Sequence, residues 1–154
     1  MNTSIRIAFL AMLAVALHAA PTLAQATAPA SPIGLWKTID DKTGNARAIV
    51  RIYEQDGRLF GRIERSFTPG AENRVCEECK DERKNQPIIG LVIIRNIQLK
   101  DGEYAGGDIL DPDTGTVYRC KFRLDQDGAR LIVRGYIGIS LLGRSQTWQR
   151  QESL

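Results

Sequence analysis

The sequence predicts an all-β fold, a single antiparallel barrel of about eight strands that follows a cleaved signal peptide. Short runs of β-branched and aromatic residues alternate with turns rich in Asp and Gly along the chain after the leader. No segment carries a sustained helical period. The only two tryptophans, Trp36 and Trp148, lie in the first and the last predicted strand, where an antiparallel barrel closes on itself.

The first 24 residues have the features of a secretory signal peptide. Arg6 supplies a positive charge, the segment Ile7 to Ala20 is largely apolar, and small residues follow at the predicted cleavage site after Ala24 or Ala26. The apolar run is shorter than the about 20 residues that span a bilayer. We therefore expect an exported protein, periplasmic or secreted, with no integral membrane segment in the mature chain.

The mature chain is expected to comprise a flexible lead-in at residues 25–32 and one barrel domain at residues 33–151. The only histidine, His18, lies in the predicted leader. Its removal excludes mechanisms that need an imidazole, among them Ser-His and Cys-His catalysis and histidine-ligated zinc or haem. The formal net charge of +3 includes Arg6, and this small excess gives no support to nucleic-acid binding.

The first half of the predicted barrel comprises strands near residues 34–38, 46–54, 58–65 and 89–97. The first begins with Gly34-Leu35-Trp36. In the second, Ala48 and Val50 alternate with arginines, which indicates a buried face and a solvated face. The turn at Gln55–Gly57 combines a carboxylate with a glycine that tolerates positive φ. The apolar run Ile88–Ile94 overlaps the start of the fourth strand, and it is either a strand buried on both faces or part of an apolar wall at the barrel mouth.

The second half comprises strands near residues 103–110, 116–124, 129–137 and 143–150. Asp- and Gly-containing turns separate the first three of them. The clearest period-two alternation lies in the strand near residues 116–124. One face carries Tyr118, Cys120, Phe122 and Leu124, and the other carries Arg119, Lys121 and Arg123. This pattern predicts one buried face and one cationic, solvated face.

The last predicted strand departs from that pattern, because Arg144, Gln146, Trp148 and Arg150 share one face. If Trp148 points inward, Arg144 and Gln146 point inward with it, and a buried arginine needs a partner or a ligand. If Trp148 points outward, it shields one end of the barrel. Alternation alone does not decide between these orientations.

Motifs that cover nearly the whole mature chain carry a family resemblance. They are Gly34-Leu35-Trp36-Lys37-Thr38, Cys76-x-x-Cys79, Gln86–Leu91, Gly106-Gly107-x-Ile109-x-Asp111-Pro112, Gly115-x-x-Tyr118, and Arg134–Gly138 followed by Arg144-x-x-x-Trp148-x-Arg150. Together they resemble a bacterial family of exported proteins of unknown function, grouped with the lipocalin-like, or calycin-like, barrels. The resemblance implies a lipocalin-like barrel with Trp36 as the ring at its closed end and Arg150 or Arg144 as the cover. It implies no catalytic residue.

Cys76-Glu77-Glu78-Cys79 has three competing interpretations. A local disulfide suits an exported protein in an oxidising compartment and is favoured. A redox-active dithiol needs neighbours that stabilise a thiolate, and the two glutamates do the reverse. A metal site needs further ligands, and the mature chain offers only Cys120 and carboxylates. We expect no metal and no cofactor, and a buried, inert Cys120.

The apolar segment Gly135–Gly143 lies where a hairpin loop is expected to be polar. One interpretation continues the two flanking core strands through it. The other is an apolar lip at the barrel mouth, or a contact with lipid or a partner.

The leading functional hypothesis is a non-enzymatic barrel that binds a small amphiphilic or apolar, lipid-like ligand in its interior. The candidate ligand-binding residues are Arg144, Gln146, Tyr136 and Trp148. The alternative is a structural or protein-interaction module of the cell envelope whose barrel is filled by its own side chains. An enzyme that uses the carboxylates of Asp108 and Asp111 ranks lowest.

Overall fold

The computed structural model describes residues 30–125 and 127–154. Within them, eight antiparallel strands form a closed barrel: β1 (Gly34–Ile39), β2 (Ala46–Gln55), β3 (Arg58–Ser66), β4 (Val92–Lys100), β5 (Glu103–Asp111), β6 (Thr116–Leu124), β7 (Arg130–Tyr136) and β8 (Arg144–Gln151). Each strand pairs with the next, and β8 closes on β1. The predicted all-β barrel of about eight strands is confirmed. The predicted signal peptide, residues 1–24, lies outside the described residues.

The start of β4 differs from the sequence-based expectation. The strand runs from Val92 to Lys100 rather than over residues 89–97. Ile88 and Leu91 belong instead to the connection between β3 and β4, where both are buried. A run of apolar residues is buried equally well in a strand or in a covered loop, so hydrophobicity alone misplaced the boundary.

From the end of the barrel that holds Trp36 to the level of Cys120, the interior is filled by the side chains of the strands. Cross-strand partners face the same side of a sheet, and the register places Trp36 opposite Val50, Phe122 opposite Val133 and Leu131 opposite Trp148. The inward-facing residues at most 6% exposed are Trp36, Val50, Ile52, Leu59, Ile63, Ile94, Ile97, Cys120, Phe122, Leu131, Val133 and Trp148. They belong to one hydrophobic cluster, which is the barrel core.

The up-and-down strand order gives the barrel two different ends. The closed end holds the N-terminal segment and the short connections at 56–57, 101–102 and 125–129. The other end, which we call the mouth, holds the connections at 40–45, 67–91, 112–115 and 137–143. The three longest connections, at 40–45, 67–91 and 137–143, therefore all lie at the mouth.

The β3–β4 connection, residues 67–91, is a strap that packs against the turn between β5 and β6. The Cys76 sulfur lies 3.5 Å from the carbonyl oxygen of Pro112. The carbonyl of Glu78 approaches Gly115 so closely that a Cβ at that position has no room. The glycine is thus required for the strap to reach the turn.

The strap covers the outside of the barrel. Leu110 pairs with Val117, which is 44% exposed, so both side chains face outward. Leu110 is nevertheless only 2% exposed and belongs to the same buried cluster as Cys76 and Cys79. The apolar residues of the strap therefore extend the core over the outer face of β5.

The apolar segment between β7 and β8 is a loop rather than a continuation of the strands. β7 ends at Tyr136 and β8 begins at Arg144. A single 3-10 turn, Ser140–Leu142, lies between them. Of the two interpretations offered by the sequence, the structure shows the exposed loop.

We expect the substitution Leu131→Ala to lower the free energy of unfolding by about 2–5 kcal/mol, because it leaves a cavity in the closed core. Leu141→Ala is the matched control. Leu131 is fully buried and Leu141 is 83% exposed, so the control should cost less than about 0.5 kcal/mol. Urea denaturation followed by circular dichroism measures both values. Equal losses would contradict a packed lumen.

Candidate functional site at the barrel mouth

The closed end is sealed by Trp36 and Arg150. The guanidinium carbon of Arg150 lies 4.3 Å from the centroid of the Trp36 ring, the geometry of a cation–π stack. Arg150 also donates hydrogen bonds to the carbonyls of Ser31 and Gly128, each at 2.6 Å, and burial lowers its pKa. The Trp36 indole donates to the carbonyl of Pro32 at 2.8 Å. A ligand therefore has no entry at this end.

The contacts of Ser31 and Pro32 also bear on the expected flexible lead-in at residues 25–32. Pro32 is fully buried and Ser31 accepts a hydrogen bond from Arg150. The last residues of that segment are thus packed against the barrel, because the closing tryptophan and arginine both need backbone acceptors.

The orientation of the last strand follows from the register. Trp148 is 2% exposed and pairs with the fully buried Leu131, so it points inward. Gln146 and Arg144 lie on the same face, nearer the mouth. The Gln146 amide oxygen accepts a hydrogen bond from the Trp148 indole at 3.1 Å. The structure therefore brings three of the four candidate ligand-binding residues together.

Arg144 lies at the rim of the mouth. Its Nε donates to Asp41 Oδ2 at 2.6 Å, and a second guanidinium nitrogen pairs with Asp41 Oδ1. Asp41 belongs to the β1–β2 connection, so the pair joins the last strand to the first loop. More than half of the Arg144 side chain is exposed. An exposed pair of this kind stabilises a fold by only about 0–1 kcal/mol, so the guanidinium is available to another anion.

The inward face below the rim is less buried than the core beneath it. Ile109 pairs with Tyr118 across β5 and β6, and Gly135 pairs with Arg144 across β7 and β8. A Cβ added at Gly135 would lie 3.5 Å from Tyr118 and 3.6 Å from Ile109. We define the mouth cup as Ile109, Tyr118, Gly135, Arg144 and Gln146. Four of these are half-buried and Arg144 is exposed, whereas Cys120 and Val133 beneath them are buried.

Tyr136 does not join the other three candidate residues. It pairs with the exposed Arg119 and lies on the outer face of β7. The reason is alternation, since Gly135 faces the cup and its neighbour must face outward. Sequence reasoning missed Ile109 and Gly135 as cup residues. Tyr118 carried a signal, because it belongs to the apolar side of the period-two pattern in β6.

An ionic network joins four segments around the mouth. Asp113, in the β5–β6 turn, accepts a hydrogen bond from Arg74 of the strap at 2.8 Å and pairs with Arg47 of β2. Arg47 also lies 3.4 Å from Asp40. Burial raises the pKa of Asp113, but the hydrogen bonds from Arg74 and Arg47 outweigh it and lower the pKa. β2, the strap and the β5–β6 turn are far apart along the chain, so the network fixes their relative positions.

The cysteines have structural positions. Cys76 and Cys79 form a disulfide within the strap, which confirms the favoured interpretation of that motif. Cys120 is fully buried beneath the cup, and burial raises its pKa to about 12. Such a thiol stays protonated and is a poor nucleophile.

The carboxylates named for the enzymatic alternative lie apart from the cup. Asp108 pairs with Arg95 and Arg119 in the register, on the outer face, and its Oδ1 is buried without a hydrogen-bond partner. Burial raises the pKa of this carboxyl group. Asp111 ends β5, and its carboxylate accepts a hydrogen bond from the backbone N–H of Asp113 at 3.0 Å.

Residues 30–125 and 127–154 contain no group of three or more His, Cys, Asp or Glu side chains placed to hold a metal ion. They also contain no helix of sufficient length and apolar character to cross a membrane.

A closed eight-stranded barrel with a tryptophan–arginine stack at one end and a mouth at the other defines a lipocalin-like protein. Residues 34–150 match the model of the family described as "Uncharacterized protein conserved in bacteria (DUF2147)", and the chain belongs to this family. This match confirms the family resemblance that the sequence motifs carry.

Among solved structures, the chain is similar to protein HP1028 from the human pathogen Helicobacter pylori, described as belonging to the lipocalin family. The TM-score is 0.69 and the sequence identity 16%, over 80% of this chain and 84% of that chain. At this identity the likeness is one of fold. No curated protein sequence matches the chain.

We expect no thiol of the folded protein to react rapidly with iodoacetamide at pH 8, because the thiolate is the reactive form and the Cys120 pKa is about 12. Unfolding in urea without a reductant should release one thiol per chain, and reduction should raise the count to three. Cys120→Ser is the control and should show no thiol before reduction. Three thiols without reduction would contradict the disulfide.

Proposed function

We propose that the protein is a non-catalytic, exported barrel that binds a small amphiphilic molecule with an anionic head group in the mouth cup. The observation that carries this proposal is the change in burial along the inward face of the barrel. Side chains below the level of Cys120 are packed, whereas Ile109, Tyr118, Gly135 and Gln146 are only half-buried. The ligand site is therefore shallower than the interior cavity expected from the sequence.

The chemistry of the cup suits an amphiphile. Ile109 and the ring of Tyr118 offer an apolar wall, and ligand sites of this kind are mostly apolar with a few convergent polar groups. Arg144 offers a guanidinium that binds a carboxylate in a bidentate manner, as it already binds Asp41. A ligand carboxylate that replaces Asp41 exchanges one ion pair for another. The amide nitrogen of Gln146 provides a second donor beside it.

Gly135 makes room for the ligand. It lies between Tyr118 and Ile109 on the inward face, and a methyl group there would make ordinary van der Waals contacts. A larger side chain would occupy the space above Cys120. Gly135 has no positive φ, so the backbone accepts other residues. A substitution at Gly135 is therefore expected to fill the cup without straining the backbone.

Two observations support the remaining parts of the proposal. The buried, protonated Cys120 and the disulfide-bonded Cys76 and Cys79 leave no activated thiol for covalent catalysis. A disulfide within the strap suits a protein that acts in an oxidising compartment outside the cytoplasm.

We expect Gly135→Phe to weaken binding of the anionic fluorophore 1-anilinonaphthalene-8-sulfonate by at least about tenfold, since the ring fills the cup. Gly135→Ala, the matched control, should change the dissociation constant by less than about twofold. Fluorescence titration and competition with dodecanoate give the constants, and thermal melts verify that both variants fold. Unchanged binding by the phenylalanine variant would place the ligand elsewhere.

Arg144→Ala should weaken dodecanoate binding by about twofold to fivefold, because an ion pair between the head group and an exposed guanidinium is lost. Arg119→Ala is the control, since Arg119 is an exposed arginine on the outer face of β6. Titration of both variants against dodecanoate and against the neutral analogue dodecanol distinguishes the head-group contact from the apolar contact. Equal effects of the two substitutions would remove Arg144 from the site.

A second candidate function is a structural or protein-interaction module with a self-filled barrel. The packed lower lumen favours it, because the largest side chains of the core occupy the space that a deep ligand would need. Native mass spectrometry of the protein isolated from its own compartment separates the two. A bound small molecule supports the mouth site, and bare protein that also fails to bind the fluorophore supports the module.

A further inference from the structure

The most exposed apolar side chains of the described chain lie together in one loop. We call residues 137–142 the tip. Its four large apolar side chains are 61–83% exposed, and they are Ile137, Ile139, Leu141 and Leu142. Isolated exposed apolar residues are ordinary on protein surfaces, but four within six consecutive positions form a patch that needs a partner.

The tip is held in a defined conformation. Arg134 of β7 donates hydrogen bonds to the carbonyls of Ser140 at 2.8 Å and Leu141 at 3.0 Å. It also donates to the hydroxyl of Ser145 in β8 at 2.8 Å. One arginine therefore satisfies the backbone of the turn from beneath, while the aliphatic side chains project into solvent.

Cations surround the base of the tip. Arg119, Lys121 and Arg123 lie on the outer face of β6, and Arg134 lies on the adjoining face of β7. A groove of about 420 Å³ runs between them and the tip, and its lining includes Lys121, Arg123, Arg134, Ile132 and Leu141. Its lining carboxylate, Glu103, pairs with Lys121 at 2.9 Å. The groove therefore retains an excess of positive charge.

We infer that the tip docks on an anionic phospholipid surface, with its aliphatic side chains among the acyl chains and the lipid phosphates at the cations of the groove. Apolar side chains beside a basic face are the two elements of interfacial binding, and their contributions add. Tyr136, on the outer face at the base of the tip, has the amphipathic side chain that is enriched at the level of head groups. This inference is independent of ligand binding in the mouth cup.

A lipid surface fits the shape of the tip better than a protein does. The patch is a single protruding loop rather than a groove or a flat sheet face, and a fluid interface accepts a protrusion without a complementary pocket. A protein partner would have to offer both an apolar pocket and acidic groups at matched positions. Binding through one loop is expected to be weak and reversible.

Insertion is measured with a tryptophan reporter at the tip. The native tryptophans are buried at 0% and 2% exposure, so their emission stays constant. Leu141→Trp should show a blue shift with vesicles of phosphatidylglycerol and quenching by brominated acyl chains, and no shift with phosphatidylcholine alone. Leu99→Trp is the matched control, since Leu99 is 60% exposed near the closed end of the barrel. A reporter at the tip that does not shift, or that shifts no more than the control, overturns the inference.

Co-sedimentation with the same anionic vesicles separates the apolar and the ionic contributions. The double variant Leu141→Ser, Leu142→Ser should bind at least about tenfold more weakly than the wild type, whereas Leu99→Ser should bind equally. Arg123→Gln should weaken binding, while Arg58→Gln should not, because Arg58 is an exposed arginine at the closed-end start of β3. Binding should fall as salt rises from 0.05 to about 0.5 M.

We expect the tip variants to melt at the same temperature as the wild type, because the substituted side chains are solvent-exposed. Thermal melts check that weaker binding is not caused by unfolding. Wild-type protein that fails to sediment with anionic vesicles overturns the inference. So does a tip variant whose only change is a lower sedimentation coefficient in the absence of lipid, since that result would assign the patch to a second copy of the chain.

Discussion

Closure of the last strand onto the first is the constraint on which the rest of the structure depends. An antiparallel sheet of eight strands has two open edges unless β8 reaches β1, and here the pairing of Trp36 with Arg150 lies within that seam. The cation–π stack and the hydrogen bonds of Arg150 to Ser31 and Gly128 unite the seam, the N-terminal segment and the β6–β7 turn. One end of the barrel is thereby sealed, and any exchange with the surroundings is directed to the other.

The two ends differ because their connections differ. At the closed end the turns are short, and the rings of Trp36 and Trp148 fill the lumen. At the mouth the long connections move outward: the strap packs over β5 and the tip projects beyond β7. The inward faces of β5 to β8 are consequently left half-covered near the rim. The mouth cup and the tip are two results of the same asymmetry, one concave and the other protruding.

Much of the fold could be predicted from local pattern, and part of the site could as well. Period two in β6 identified Tyr118, Cys120 and Phe122 as one face, and the spacing of Arg144, Gln146 and Trp148 placed them together. Tyr136 was misassigned as a companion of Arg144, although Leu131 and Val133 alternate with Arg130 and Arg134 and so already place Tyr136 on the solvated face of β7. Gly135, which opens the cup, has no side chain and so leaves no signal in a hydrophobic pattern.

The sequence by itself determined the class of the fold and favoured the disulfide between Cys76 and Cys79. Those features depend on short-range chemistry: alternation along a strand, turn residues and a Cys-x-x-Cys spacing. The family resemblance implied Trp36 as the closing ring, and the structure decided that Arg150 rather than Arg144 covers it. Only the tertiary structure decided which face of each strand points inward, that the lower lumen is full, and that Ile88 and Leu91 serve the strap rather than β4. These depend on how strands pair around a closed circuit, and a shift of one residue in that pairing exchanges the inner face for the outer.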